Sequence, residues 1–272
     1  MTASFDTTKP NIARMYDYWL GGKDNFEVDR KAAEAVRQTR PEVAEHALDN
    51  KMFQTRAVAY VAGRGVRQFL DIGSGLPTSP VMAGGDSPLW RATHEAAETV
   101  LTDPVVAYVD YDPVAVLHSQ TLLSGGRHGV LAVAGDMRDP ADILGNAEIL
   151  SAGMDLSAPV CVIFACVLHF VDAQTAHDIV AAFTRVLAPG SYIIISVGFA
   201  KGQAGQDFVR AYNAQNGARI YAHSWKEIAG LFDGLELVAP GIVEAALWRT
   251  EWPERLRQER TNMIMAGVAR RG

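Results

Sequence analysis

From Arg67 onward, short runs of β-branched and aliphatic residues alternate with segments of helical periodicity, and this alternation limits the chain's architecture more than any other feature. The runs at 67–72 (RQFLDI), 105–110 (VVAYVD), 130–134 (VLAVA), 159–165 (PVCVIFA) and 191–197 (SYIIISV) are apolar along almost their whole length. A strand with water on one face alternates apolar and polar residues, so continuous apolar runs separated by helices predict a parallel sheet covered on both faces. Helices are expected at 113–124 and 173–187. Near the end, LELVAPGIVEAALW and TNMIMAGVARR have no helix of useful length between them, which predicts an antiparallel closing pair and seven strands in all. The fold class is therefore α/β, a doubly wound and mostly parallel seven-stranded sheet.

Residues before that alternation differ in kind. Three helical segments precede the first strand: NIARMYDYWLGG, ending in a glycine pair suited to a C-cap; a segment expected to start at an Asn25 N-cap and stop before Pro41; and a long one from Pro41 to the glycines at 63 and 65. The chain thus divides into an N-terminal helical flank or lid, residues 1–66, and a sheet domain, residues 67–272. Its 272 residues are enough to bury a full core.

Several classes of function find no support. The formal charge of −6 gives no basic footprint for nucleic acid. The longest apolar stretch, Pro159 to Val171, is too short to span a bilayer, and the N-terminus has no apolar run after a basic start, so the protein reads as cytoplasmic. The two cysteines, Cys161 and Cys166, read as core residues, and the seven histidines lack the spacings that place ligands around a metal, so no metal site is expected. Oligomeric state is not legible.

In a doubly wound sheet, ligands bind at the carboxyl ends of the strands where strand order reverses. The first strand ends there in QFLDIGSGLPT, residues 68–78. Gly73 and Gly75 allow a sharp turn and close approach of the backbone to a ligand. A dinucleotide fingerprint needs a third glycine three residues after the second, and here that position is Thr78. Asp71, two residues before the first glycine, puts negative charge where a pyrophosphate would lie and suits a cationic ligand instead. The acid-x-Gly-x-Gly pattern is how S-adenosylmethionine, with its ammonium and sulfonium, is held in the class I methyltransferase fold. The next strand ends are consistent with that donor: Asp110 for the ribose hydroxyls, with Tyr111 as a wall for adenine, then Asp136 for the adenine amino group and the Met137 N–H for a ring nitrogen. Each acid alone also fits a loop or cap role, as Asp112 does ahead of Pro113.

The chain resembles a family of S-adenosylmethionine-dependent methyltransferases widespread in actinobacteria and long catalogued as a domain of unknown function. The resemblance rests on ARMYDYWLGGKDNFEVDR at 13–30, QFLDIGSGLPT at 68–78, YVDYDPVAV at 108–116, GDMRDP at 135–140, VLHFV at 167–171 and LAPGSYIIIS at 187–196. It implies a Rossmann-like domain and a small-molecule acceptor. It also implies donor contacts from Tyr16, Lys23, Asp71, Gly73, Ser74, Gly75, Asp110, Tyr111, Asp136, Met137 and Ala165, with Arg14 an alternative to Lys23 for the donor carboxylate. Tyr18, Trp19 and Phe26 would line the acceptor pocket, and GGKDN would let the flank close. His169, after the fourth strand, is the candidate catalytic base, with Asp24 second; a packed structural histidine is the competing reading. About a dozen residues at 79–92 look like an insertion beside the cofactor loop. Two rivals stay open: a non-catalytic S-adenosylmethionine or S-adenosylhomocysteine binding protein, and a nicotinamide-dependent oxidoreductase.

Overall fold

A computed structural model describes residues 8–77, 89–123, 128–200, 202–215, 219–250 and 264–272. The strands β1 (Gln68–Ile72), β2 (Val105–Asp110), β3 (Val130–Ala134), β4 (Val160–Ala165) and β5 (Tyr192–Gly198) pair in parallel in the order β3-β2-β1-β4-β5. Order reverses between β1 and β4, which opens a crevice at their carboxyl ends.

The expected closing pair is present with one refinement. Strand β8 (Ile264–Arg270) runs antiparallel to β5, and its far edge is met by two short pieces, β6 (Glu236–Leu237) and β7 (Val243–Glu244). Leu237 pairs with Ala269 while Val243 pairs with Ala266, so the chain advances six residues on one side for three on the other. The seventh position of the sheet is one strand split by a bulge containing Pro240, which has no N–H to give to the ladder, and the strand count becomes eight.

Apolar side chains alternate between the two faces. Phe69, Cys161, Ile163 and Ile194 point to one side, where α3 (Val43–Ala62) supplies Phe53, Ala57, Val58 and Val61. Leu70, Ile72, Val162, Phe164 and Ile195 point to the other and meet Ile179, Val180 and Phe183 of α8 (Ala173–Val186). Phe164 and Phe183 contact edge to face with centroids 5.5 Å apart, and burying each ring contributes about 1.5–3 kcal/mol. Helix α3 therefore covers the sheet directly.

The first two helices and α9 stand above the carboxyl ends of the strands. Helix α1 (Ile12–Trp19) is capped by Asn11, whose side chain accepts from the Arg14 N–H, and closes with Gly21 at φ +79°. The Gly21 N–H donates to the Tyr18 carbonyl and the Gly22 N–H to the Asp17 carbonyl, the paired bonds of a Schellman motif. Helix α2 (Glu27–Thr39) begins one residue later than an Asn25 cap would require. Phe26 is the N-cap, and Asp29 accepts its backbone N–H at 2.8 Å. Asn25 instead donates to the Asp17 carboxylate. Buried Asp29 also takes the Arg14 guanidinium at 2.7 Å, tying α1 to α2. Helix α9 (Gly202–Gln215), from the connection after β5, packs on both through Tyr212, Met15 and Val36. No described helix is long and apolar enough to cross a membrane.

Candidate functional site

A cavity of about 380 Å³ lies between the strand ends and this helical roof. Its floor is the loop after β1. The Gly73 and Ser74 N–H groups both donate to the Val109 carbonyl of β2, at 2.7 and 3.1 Å, and Gly73 and Gly75 adopt φ of +66° and +69°. A Cβ on Gly73 would lie 2.4 Å from Val167 Cγ1, so the turn requires glycine on both conformational and steric grounds. The loop is locked to the next strand by Asp110. Its carboxylate accepts the Gly75 N–H and the Asp112 N–H, each at 2.8 Å. Asp110 is only 6% exposed, and this burial pushes its pKa up while the two N–H bonds pull it down.

Asp71 is buried at the end of β1. Its Oδ2 accepts from Gln54 Nε2 at 2.9 Å and from Thr93 Oγ at 2.6 Å. Desolvation raises its pKa, and Lys51, Thr93 and Gln54 oppose that shift. Half-buried Lys51 projects from α3 into the same cavity and lies 5.6 Å from the Trp90 ring; burial lowers its pKa and Asp71 raises it. Sequence reasoning missed Lys51 because it stands mid-helix in no motif. Only the packing of α3 on the sheet brings it to the strand end.

The remaining floor residues come from β2, β3 and β4. Tyr111 is 62% exposed at the rim. Asp136 faces the cavity but is paired with Arg138, whose Nε lies 2.9 Å from both carboxylate oxygens, and this contact lowers the Asp136 pKa. Met137 and Ala165 line the cavity beside it. Next to Ala165, Cys166 holds a left-handed φ of 57°, unusual for a residue with a Cβ, and buries its thiol with the pKa pushed up to about 12.

A chain of polar contacts joins floor to roof. The Cys166 N–H donates to Ser196 Oγ at 3.0 Å, Ser196 donates to Asn50 Oδ1 at 2.5 Å, Asn50 donates to the Tyr16 hydroxyl at 2.9 Å, and Tyr16 donates to the Ala47 carbonyl at 3.0 Å. Tyr16 is thereby fixed against the cavity.

His169 also lines the cavity. Its Nδ1 accepts the Gly198 N–H at 3.3 Å, which leaves the ring proton on Nε2. Burial pushes its pKa down to about 3, with His223 adding to the shift.

Several expected roof residues lie elsewhere. Lys23 is exposed and does not line the cavity. Arg14 is committed to Asp29. Tyr18 donates to Glu34 at 2.8 Å, and Phe26, 40% exposed, lies against the Arg14 guanidinium. Asp24 lies outside the lining, 3.9 Å from His118. Trp19 does line the cavity. The GGKDN loop is pinned, since buried Asp17 accepts from the Asp24 N–H at 3.0 Å and from Asn25 at 2.8 Å. Thr78 and residues 79–88 of the insertion lie outside the described residues, while Trp90 within it is buried against Leu20 and Ala47.

The site has a two-glycine loop, a buried acid at each of the first two strand ends, a third acid after β3, and a roof of helices from outside the sheet. Fold and site together define a Rossmann-like methyltransferase of class I. The chain belongs to the S-adenosyl methyltransferase family, whose model matches residues 1–272, and S-adenosylmethionine is its cofactor. Two similar solved structures are a candidate methyltransferase from Thermobifida fusca YX (35% identity, 97% of this chain and 95% of that one, TM-score 0.86) and a DUF574 family protein from Streptomyces avermitilis MA-4680 (34%, 98% and 99%, 0.86). A magnesium protoporphyrin IX methyltransferase from Synechocystis PCC 6803 with bound S-adenosylhomocysteine shares the fold at 13% identity (95% of this chain, 93% of that one, TM-score 0.50). No curated protein matches the chain.

Proposed function

We propose that this enzyme methylates a small molecule and holds its donor through the floor of the cavity. The observation that carries the reading is the convergence of Asp71, Asp110 and Asp136, from three different strand ends, on one cavity floored by the Gly73–Gly75 turn. The residues fit the donor. Asp110, with two backbone N–H groups already fixing its orientation, has acceptor capacity left for ribose hydroxyls. Tyr111 and Met137 flank the adenine, and Asp136 exchanges part of its contact with Arg138 for the adenine amino group. Asp71 and Lys51 form a matched pair for the ammonium and carboxylate of the methionine portion, with Lys51 in the role first expected of Lys23. Ser74 and Ala165 give close backbone approach, and Tyr16 covers the donor from above.

Asp71 also disfavours a dinucleotide. Thr93, the first residue of α4 (Thr93–Glu98), gives its hydroxyl to Asp71, so a carboxylate already stands at that helix end where a pyrophosphate would need positive potential.

When bound, S-adenosylmethionine supplies a methyl group activated by a sulfonium. The protein's part is to aim the acceptor and exclude water, and proximity of this kind contributes roughly 7–11 kcal/mol. With Nδ1 engaged and the imidazole held neutral, His169 acts as a hydrogen-bond donor through Nε2 and orients the acceptor rather than removing its proton. The roof of α1, α2 and α9 over a cavity of about 380 Å³ supports a small acceptor over a macromolecule.

Calorimetry tests the donor assignment. S-adenosylhomocysteine is expected to bind and NAD to give no heat; NAD binding without a response to S-adenosylhomocysteine would overturn it.

A further inference from the structure

The two halves of the cavity differ in charge balance. Each acid along the lining has hydrogen-bond donors: Asp17 the Asp24 N–H and Asn25, Asp71 Gln54 and Thr93, and Asp110 two N–H groups. Asp112 takes the Val114 N–H and Asn11, and Asp136 takes Arg138. Two cations that line the roof side have no such partner. Arg40, the C-cap of α2, and Arg219, just past α9, line the cavity with no carboxylate within salt-bridge distance among the described residues. Arg40 Nε is buried without a hydrogen-bond partner, and its guanidinium lies 5.3 Å from the centroid of Phe208 on α9.

A guanidinium N–H buried without an acceptor is costly, and an incoming anion removes that cost. The planar fork of Arg matches a carboxylate through two parallel bonds. The walls around it are aromatic: Trp19 from α1, Phe170 after β4, Phe208 and Tyr212 from α9, and Tyr221 under Arg219. Flat rings favour a flat ligand, through offset stacking and edge-to-face contact.

Resting on the donor reading above, we propose that the roof half of this cavity binds a small aromatic carboxylic acid as the methyl acceptor, with its carboxylate on Arg40 and its ring among Trp19, Phe170 and Phe208. In the transfer, the methyl group exchanges its bond to sulfur for a bond to the acceptor's nucleophilic atom. The C–S electron pair stays on sulfur as a thioether, and the acceptor's proton leaves to solvent. Amines are disfavoured because the two roof-side charges that line the cavity without a carboxylate partner, Arg40 and Arg219, are both positive.

The test uses the full chain loaded with S-adenosylhomocysteine, whose own binding is measured first. Ligand-observed NMR titrations then compare 4-hydroxybenzoate and 4-hydroxycinnamate with their primary amides and with tyramine. The acids are expected to bind at least tenfold more tightly than the amides, and tyramine not at all. Arg40→Gln should erase the preference for acid and Arg40→Lys restore part of it, with S-adenosylhomocysteine affinity serving as the folding control in both. Equal affinity for acid and amide, an undiminished acid preference in Arg40→Gln, or failure of the acids to bind a protein that holds S-adenosylhomocysteine would each overturn the proposal and leave the donor reading standing. Failure of S-adenosylhomocysteine to bind the parent protein would remove the donor reading first.

Discussion

The Asp110 carboxylate accepts the Gly75 backbone N–H at 2.8 Å, so the end of β2 and the glycine turn after β1 form one hydrogen-bonded unit. A residue proposed to hold ribose thus also shapes the loop beneath the rest of the donor.

Asp110→Ala should weaken S-adenosylhomocysteine binding by about 1.5–3 kcal/mol, the range for hydrogen bonds to a charged group. Calorimetry on a variant with parental circular dichroism measures it. Unchanged affinity in a folded variant would remove Asp110 from the donor site.

If Lys51 holds the donor carboxylate as proposed, its removal separates the methionine end of the donor from the nucleoside end. Lys51→Met should cost about tenfold in affinity for S-adenosylhomocysteine, equivalent to about 1.4 kcal/mol. Affinity for 5′-methylthioadenosine, which lacks the amino-acid carboxylate, should not change. Parallel losses for both ligands would mean that Lys51 supports the pocket rather than the carboxylate.

Gly73 and Gly75 share a backbone conformation but differ in surroundings. Alanine at either position meets the left-handed cost of roughly 1–2 kcal/mol. At Gly73 the added Cβ also collides with Val167, whereas at Gly75 it meets no atom of the described residues within 4 Å beyond its chain neighbours. Denaturant titration should therefore find Gly73→Ala clearly the less stable of the two. Equal destabilisation would show that the turn relaxes freely around Val167.

His169 gives a pH signature of known sign. Its folded pKa, about 3, lies below the usual value near 6.5, so between those values the unfolded chain binds a proton that the folded chain does not. The associated stability is fully present above about pH 6.5 and is lost as pH falls toward 3. His169→Gln should lose less Tm between pH 7 and pH 5 than the parent does. The parent's methyl-transfer rate should show no inflection near pH 6.5 from this ring, and a parental slope in the variant would contradict the burial account.

The buried Arg14–Asp29 pair joins α1 to α2, so the two should open and close together. Hydrogen exchange is expected to show residues 11–30 gaining protection on S-adenosylhomocysteine binding while β5 changes little. Identical exchange with and without ligand would mark α1 and α2 as a permanent roof.

The five parallel strands, the closing antiparallel pair and the three acids on the floor were legible in the sequence. Strand ends in such a sheet converge by topology, so a motif at each end predicts their neighbourhood. Roof residues carry no comparable rule. Arg40 ends one helix, Lys51 and Asn50 lie within another, and Phe208 belongs to a third, and only tertiary packing assembles them. In the opposite case, Lys23, Tyr18 and Phe26 lie in the right segment, but the register of the Schellman turn and the Phe26 cap leaves them outside the cavity. The division of β6 from β7 was hidden because a three-residue bulge hardly disturbs an apolar pattern.

Helix α3 is the shared wall of the cavity: one face is core against the sheet, and the other presents Asn50, Lys51 and Gln54. Helices α2 and α9 have no share in the ladder of strands. On the proposed reading the molecule is in this sense modular, with a chassis that fixes the reagent and an interchangeable hood that selects the client. Grafting α2 and α9 between members of this fold should transplant acceptor choice while the chassis keeps its donor, whereas redesign of α3 would alter stability, donor binding and selectivity together.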